Sequence, residues 1–146
     1  MNSLNLGEEY SEFTINGDET RVIKIDLNDY AIITRLNESY KRIEDFANKN
    51  SADVNSDGTA KDTLSETAEV IGNFDKFIKE QIDYIFNSKV SDIVFGEKSP
   101  LSMVKGIPLY QRFLTALQPY MEEIVKRERK ASEKRMDKYL KVIKKW

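Results

Sequence analysis

Histidine and cysteine are both missing from the 146 residues. That removes the commonest general base near neutral pH, the thiolate nucleophile and the zinc sites built on those ligands. No nucleophile elbow, phosphate-binding Gly-rich loop or compact acid pair in an apolar setting replaces them. The expectation is a protein that is not an enzyme, with no catalytic residue, no metal and no cofactor. Long apolar runs are lacking too, and Met1 to Tyr10 has neither the basic start nor the apolar core of a secretory signal. A soluble, cytoplasmic protein without a membrane partner is expected, and the lack of cysteine permits a reducing compartment.

The residues that are present suit a packed core. Apolar residues make up 40% and charged residues 33% of the chain, and a single domain of this length buries roughly 70% of its unfolded surface. Over residues 12–26, Phe13-Thr14-Ile15 and Arg21-Val22-Ile23-Lys24-Ile25 flank the turn-rich Asn16-Gly17-Asp18-Glu19, which predicts a β-hairpin. Ile23 and Ile25 fall on one face and Val22 on the other. A hairpin alone is marginal, so this one must pack on helices or pair with another subunit.

Residues 28–119 read as a bundle of amphipathic helices. Asn28 or Asp26 is placed to cap a helix starting near Asp29, with Ile33, Leu36, Tyr40, Ile43 and Ala47 on one face. Residues 50–63 read as a solvated, flexible loop. A central helix then runs from Asp62 or Ser65 to Asn87, with Leu64, Ala68, Ile71, Phe74, Ile78, Ile82 and Ile85 in one stripe. Ser99-Pro100 predicts a short helical turn through Val104, Pro108 starts a further helix, and Pro119 bends or restarts it. Residues 120–146 contain neither Gly nor Pro and predict a long, protruding C-terminal helix. The fold class expected is mainly α (α+β).

Charge is unevenly divided. Residues 120–146 carry ten Lys or Arg against five Asp or Glu, a net of +5, which leaves 13 against 20, or −7, in residues 1–119. Basic residues from Lys126 to Lys145 suit phosphate neutralisation. Five interleaved acids, the late arrival of Tyr139 and Trp146 and the acidic whole argue against a nucleic-acid partner. Met136, Tyr139, Leu140, Ile143 and Trp146 recur at spacings of three and four, which marks them as an oligomer or partner interface. Folding back onto the body is the alternative.

Asp53-Val54-Asn55-Ser56-Asp57-Gly58 matches the first half of an EF-hand calcium loop. The twelfth position, where a bidentate Glu belongs, is Leu64, and Glu66 comes two residues late. A turn-rich interhelical loop accounts for the same residues. A weak calcium-binding module using Asp53, Asn55 and Asp57 is one competing reading. A general helical adaptor or nucleic-acid-binding protein using the basic tail is another.

The acidic N-terminal ribbon, the stretch SDIVFGEKSP from Ser91 to Pro100, LYQRFLTALQPYMEEI from Leu109 to Ile124 and the charged terminal helix occur in that order. In this layout the chain resembles the tail assembly chaperones of long-tailed, siphovirus-type phages and prophages of Gram-positive bacteria. The residues that match are Phe95-Gly96, Phe113-Leu114 and Pro119. The middle loop has no counterpart in the pattern. The resemblance implies a non-enzymatic protein of virion morphogenesis that binds the tape measure protein, keeps it soluble and helps recruit the tail tube protein. It implies a homo-oligomer, a ring or spiral, present in the infected or lysogenic host and absent from the mature virion. Many such proteins have a longer form made by ribosomal frameshifting, for which Lys144-Lys145 would mark a run of adenines.

Overall fold

Asn16 and Gly17 both adopt positive φ, 53° and 74°, and so turn the chain tightly between β1 (Ser11–Ile15) and β2 (Asp18–Ile25). The strands pair antiparallel with Phe13 opposite Ile23, and the register shifts between Thr14 and Ile15. Residues 19–21 are left over there, and Asp18 organises them by accepting hydrogen bonds from the Thr20 amide at 3.0 Å and hydroxyl at 2.6 Å. Ile23 and Ile25 are buried while Val22 is exposed, as the alternation predicts. The ribbon packs on helices of its own chain.

In the computed structural model the described residues are 1–50 and 63–144, with the side chains of 136, 138–140, 143 and 144 left out of the description. After the hairpin come α1 (Ala31–Lys49), α2 (Leu64–Phe86), α3 (Ser91–Phe95), a two-residue ribbon of β3 (Met103–Val104) with β4 (Ile107–Pro108), and α4 (Leu109–Lys144). This is the mainly helical α+β class expected, with the N-terminal hairpin and the long C-terminal helix in place. The core gathers Ile23, Ile25 and Leu27 from the ribbon, Ile32 from α1, the second half of α2, Val90, Val94 and Phe95 around α3, and Leu117 and Ile124 from α4.

Helix α1 turns a different face inward from the expected one. Ile33 and Tyr40 are 58% and 68% exposed and Ala47 is exposed, whereas Ile32 and Ser39 are buried beside half-buried Leu36, Ile43 and Phe46. Partners on α2 settle the choice. Phe46 stacks on Phe77 and Phe74 at 4.5 and 5.1 Å, and Arg35 donates through Nε to the Ile85 carbonyl at 2.8 Å. The first turn is held by Asp29, not by Asn28 or Asp26: its carboxylate accepts from the Ala31 amide at 3.0 Å and from Arg35 at 2.7 Å.

The hydrogen bond from Arg35, followed by that from the Ala31 amide, outweighs desolvation and holds the Asp29 pKa below its ordinary value near 3.8. A depressed carboxylate contributes stability that is complete above its unfolded pKa and is lost as pH falls through the folded one. Asp29→Asn is therefore expected to flatten the loss of stability below about pH 4 in denaturant titrations. A slope identical to that of the unaltered chain overturns this role.

Helix α2 is capped by Thr63, whose hydroxyl accepts from the Glu66 amide at 3.2 Å, and its first residue, Leu64, is one before the expected Ser65. Only its second half is buried: Leu64 and Ile71 are exposed, whereas Ile78, Ile82, Ile85 and Phe86 are inside. Asn87 ends it in the left-handed conformation.

Ser99 accepts from the Leu101 amide at 3.1 Å, yet no helical turn reaches Val104. Lys105 and Gly106 take positive φ, 52° and 79°, and fold Met103–Pro108 into the small ribbon. Leu109 and Tyr110 then donate their amides to the Ser102 and Pro100 carbonyls at 2.8 and 3.1 Å, satisfying two free donors at the start of α4. Pro119 lies inside α4 and does not divide it. It removes one hydrogen bond, but buried Leu117 and Ile124 fasten the helix to the core on either side of it. At 36 residues α4 is about 54 Å long.

Candidate protein-docking surface

Helix α4 presents its inner side to the aromatic core. Phe113 meets Phe86 and Phe95 edge to face, with centroids 5.6 and 6.5 Å away, and Tyr120 meets Phe13 at 4.9 Å. Gly96 ends α3 at φ 59° and ψ −128°, a backbone region that excludes side-chain-bearing residues in ordinary turns. Phe95, Gly96 and Phe113 are thus brought together, beside an open cleft of 630 Å³ that Ile15 and Arg21 also line. Leu114 lies on another side of α4, and Pro119 is exposed about a third of the way along it. The five pattern residues do not form one site.

Arg21 fixes this cleft. Its guanidinium donates to the Ile93 carbonyl at 3.0 Å and to the Val94 carbonyl, tying the bulged strand to the end of α3. At the start of α3, Asp83 of α2 accepts from the Val90 and Ser91 amides at 2.9 and 2.8 Å and from the Ser91 hydroxyl at 3.0 Å. Sequence reasoning missed both residues. A signal for Asp83 exists: an acid in the last turn of a helix opposes the helix dipole, so a tertiary partner must favour it.

A second surface opens between α1 and α4. Ile33 and Leu36 from α1 face Leu114, Met121 and Val125 from α4 across a groove of 560 Å³ open along one side. Glu122, Lys126 and Arg129 also line it. Its origin is the rotation of α1 described above: Ile32, Leu36 and Ile43 serve the core, and Ile33 is left facing outward. From Lys126 onward each residue whose side chain is described is exposed, with Arg127 still paired to Glu9 at 3.4 Å and Tyr30 sharing an open pocket with Ser132, Glu133 and Asp137.

The proposed interface residues Met136, Tyr139, Leu140 and Ile143 lie in this part of α4, their side chains outside the description, and Trp146 lies outside the described residues. Asp53, Asn55 and Asp57 of the half EF-hand also lie outside them. Among the described residues, no group of three or more acids is placed to hold a metal ion, and no helix is long and apolar enough to cross a membrane. Comparison with protein-family models, with curated proteins and with solved structures returned no match.

Proposed function

We propose that this chain is an oligomeric tail assembly chaperone of a long-tailed phage. It coats the tape measure protein in the host cytoplasm, keeps it soluble, promotes growth of the tail tube around it, and is absent from the finished virion. The observation that carries the reading is α4, a helix rooted in the core by Leu117 and Ile124 and exposed, among its described side chains, from Lys126 on. Such a helix provides binding surface without a catalytic cavity. A tape measure protein offers long amphipathic helices, and repeated modest contacts from many copies cover them by multivalency while remaining displaceable by tail tube subunits. The resemblance in layout supplies the client, and the open groove beside α4 supplies a second apolar surface.

Co-expression tests the reading. The tape measure protein of the same phage is expected to move from the pellet to the supernatant when this chain is present; a client that stays in the pellet overturns the proposal. Self-association is read separately, by light scattering behind a sizing column across a concentration series. A mass of several 17.0 kDa subunits is expected. Leu140→Asp combined with Ile143→Asp is expected to reduce it to one subunit with helicity retained, and an unchanged mass removes the terminal cluster from the interface.

A further inference from the structure

We propose that the cleft beside Arg21 binds a small organic anion, a carboxylate carried on an apolar body. The inference goes beyond the function proposed above and rests on no part of it. At 630 Å³ the cleft falls within the roughly 300–1,000 Å³ of ordinary small-molecule sites. The hairpin turn, the end of α3 and the first turns of α4 wall it. Ile15, Val94, Phe95, Leu109, Phe113 and Ala116 give it an apolar lining. Phe95 and Phe113 already meet edge to face, so a ligand adds its contacts to a surface that is in place before it arrives.

The wall is cationic although the body is acidic. Residues 1–119 carry a net charge of −7, yet the lining holds Arg21, Lys98 and Arg112 against one acid, Glu97. Among the described residues, no carboxylate forms an ion pair with any of the three cations. Asp18, near Arg21 on the same strand, does not line the cleft, and its lowered pKa owes more to hydrogen bonds from the Thr20 hydroxyl and amide than to Arg21.

Arg21 is the half-buried member of the three. Its Nε and one Nη donate to the Ile93 and Val94 carbonyls, which are neutral acceptors. A guanidinium carries five N–H groups in one plane, and the donors left over match the two oxygens of a carboxylate. A charge-assisted bond made in this half-buried place is stronger than one made in open water. Lys98 and Arg112 are exposed and add the field that draws an anion in. Inorganic phosphate satisfies the cations and leaves the apolar lining wet, whereas a plain hydrocarbon covers the lining and leaves the cations unpaired. A carboxylate with an apolar body does both.

Calorimetric titration of the full chain with naphthaleneacetic acid and with naphthaleneacetamide, its neutral isostere, separates the two halves of the site. The acid is expected to bind saturably, at least about tenfold more tightly than the amide, because only the acid pairs with the cationic wall. Arg21→Gln removes the cation but also frees the end of α3, so exposed positions carry the test. Arg112→Glu combined with Lys98→Glu is expected to weaken the acid at least about tenfold and to leave the amide unchanged. The thermal melt is expected to stay as it is, since both side chains are exposed. Lys126→Glu, in the α1–α4 groove, is the control and is expected to change neither affinity. Absence of saturable binding at millimolar acid overturns the inference, and so do equal affinities for acid and amide. Loss of binding in the Lys126→Glu chain, with the Arg112→Glu and Lys98→Glu chain unaffected, places the ligand in the groove and overturns it too.

Discussion

Ile82→Ala is expected to lower the free energy of unfolding by about 2–5 kcal/mol, a large part of the roughly 5–15 kcal/mol that holds an ordinary domain together. Ile82 is 0% exposed, in the part of α2 that packs against both α1 and α3. Truncation loses the transfer free energy of the removed carbons and leaves a cavity that neighbours on two sides close only in part. Ile71→Ala, on the same helix stripe about three turns towards the N-terminus and 46% exposed, supplies the contrast, with an expected loss within about 0.5 kcal/mol. Urea titration measures both. The midpoint is expected to fall for Ile82→Ala with the denaturant slope unchanged. A loss below about 1 kcal/mol, or equal losses at the two positions, overturns the placement of the core in the second half of α2.

That difference between two isoleucines of one helix marks where sequence reading stops. Period and turn chemistry identify α2 as a helix with an apolar stripe, yet they treat Leu64, Ile71 and Ile82 alike. Burial depends on how far α1 and α3 extend along α2, which is non-local information. The hairpin was legible because a two-residue period flanks Asn16-Gly17, a pair suited to positive φ, but the bulge was not, and Asp18 and Glu19, read as turn, belong to β2. Helix α1 was legible as a helix but not in its orientation. It carries two overlapping apolar strips, and the contacts of Arg35 and Phe46 with α2 select between them.

Proline misled once: Pro100 suggested a helical start where Lys105-Gly106 folds a ribbon, whereas Pro119, read as a bend or a restart, lies inside one helix that packing at Leu117 and Ile124 carries past it. In each case a local rule met a stronger constraint a few residues away. The candidate surface follows from the same physics. The pattern residues Phe95, Gly96 and Phe113 converge because α3 and α4 meet there, while the groove arises from the apolar strip of α1 that the core does not take up. No local pattern marks a groove shared by helices nearly ninety residues apart.

Asp83→Ala is expected to destabilise the chain by about 2 kcal/mol, because the buried Ser91 amide loses its acceptor and the Val90 amide keeps only the Ser88 carbonyl at 3.0 Å. Val90 and Ser91 are 2% and 3% exposed, and both amides point to the Asp83 carboxylate. Asp83→Asn separates charge from geometry. The amide oxygen still accepts from both backbone donors, and the new NH2 group donates to the Ser91 hydroxyl in place of accepting from it. The expected loss is then about 1 kcal/mol, the difference between a charge-assisted and a neutral hydrogen-bond set. Amide hydrogen exchange localises the effect: Val90 and Ser91 are expected to exchange faster in the Ala variant than the amides buried in α2. Because α3 carries Phe95 and Gly96 against Phe113, a loosened α3 also frees the start of α4, and the cleft beside Arg21 loses its floor. Equal losses for the Ala and Asn variants overturn the acceptor role of Asp83 and leave only its bulk to explain why a helix ends in an acid there.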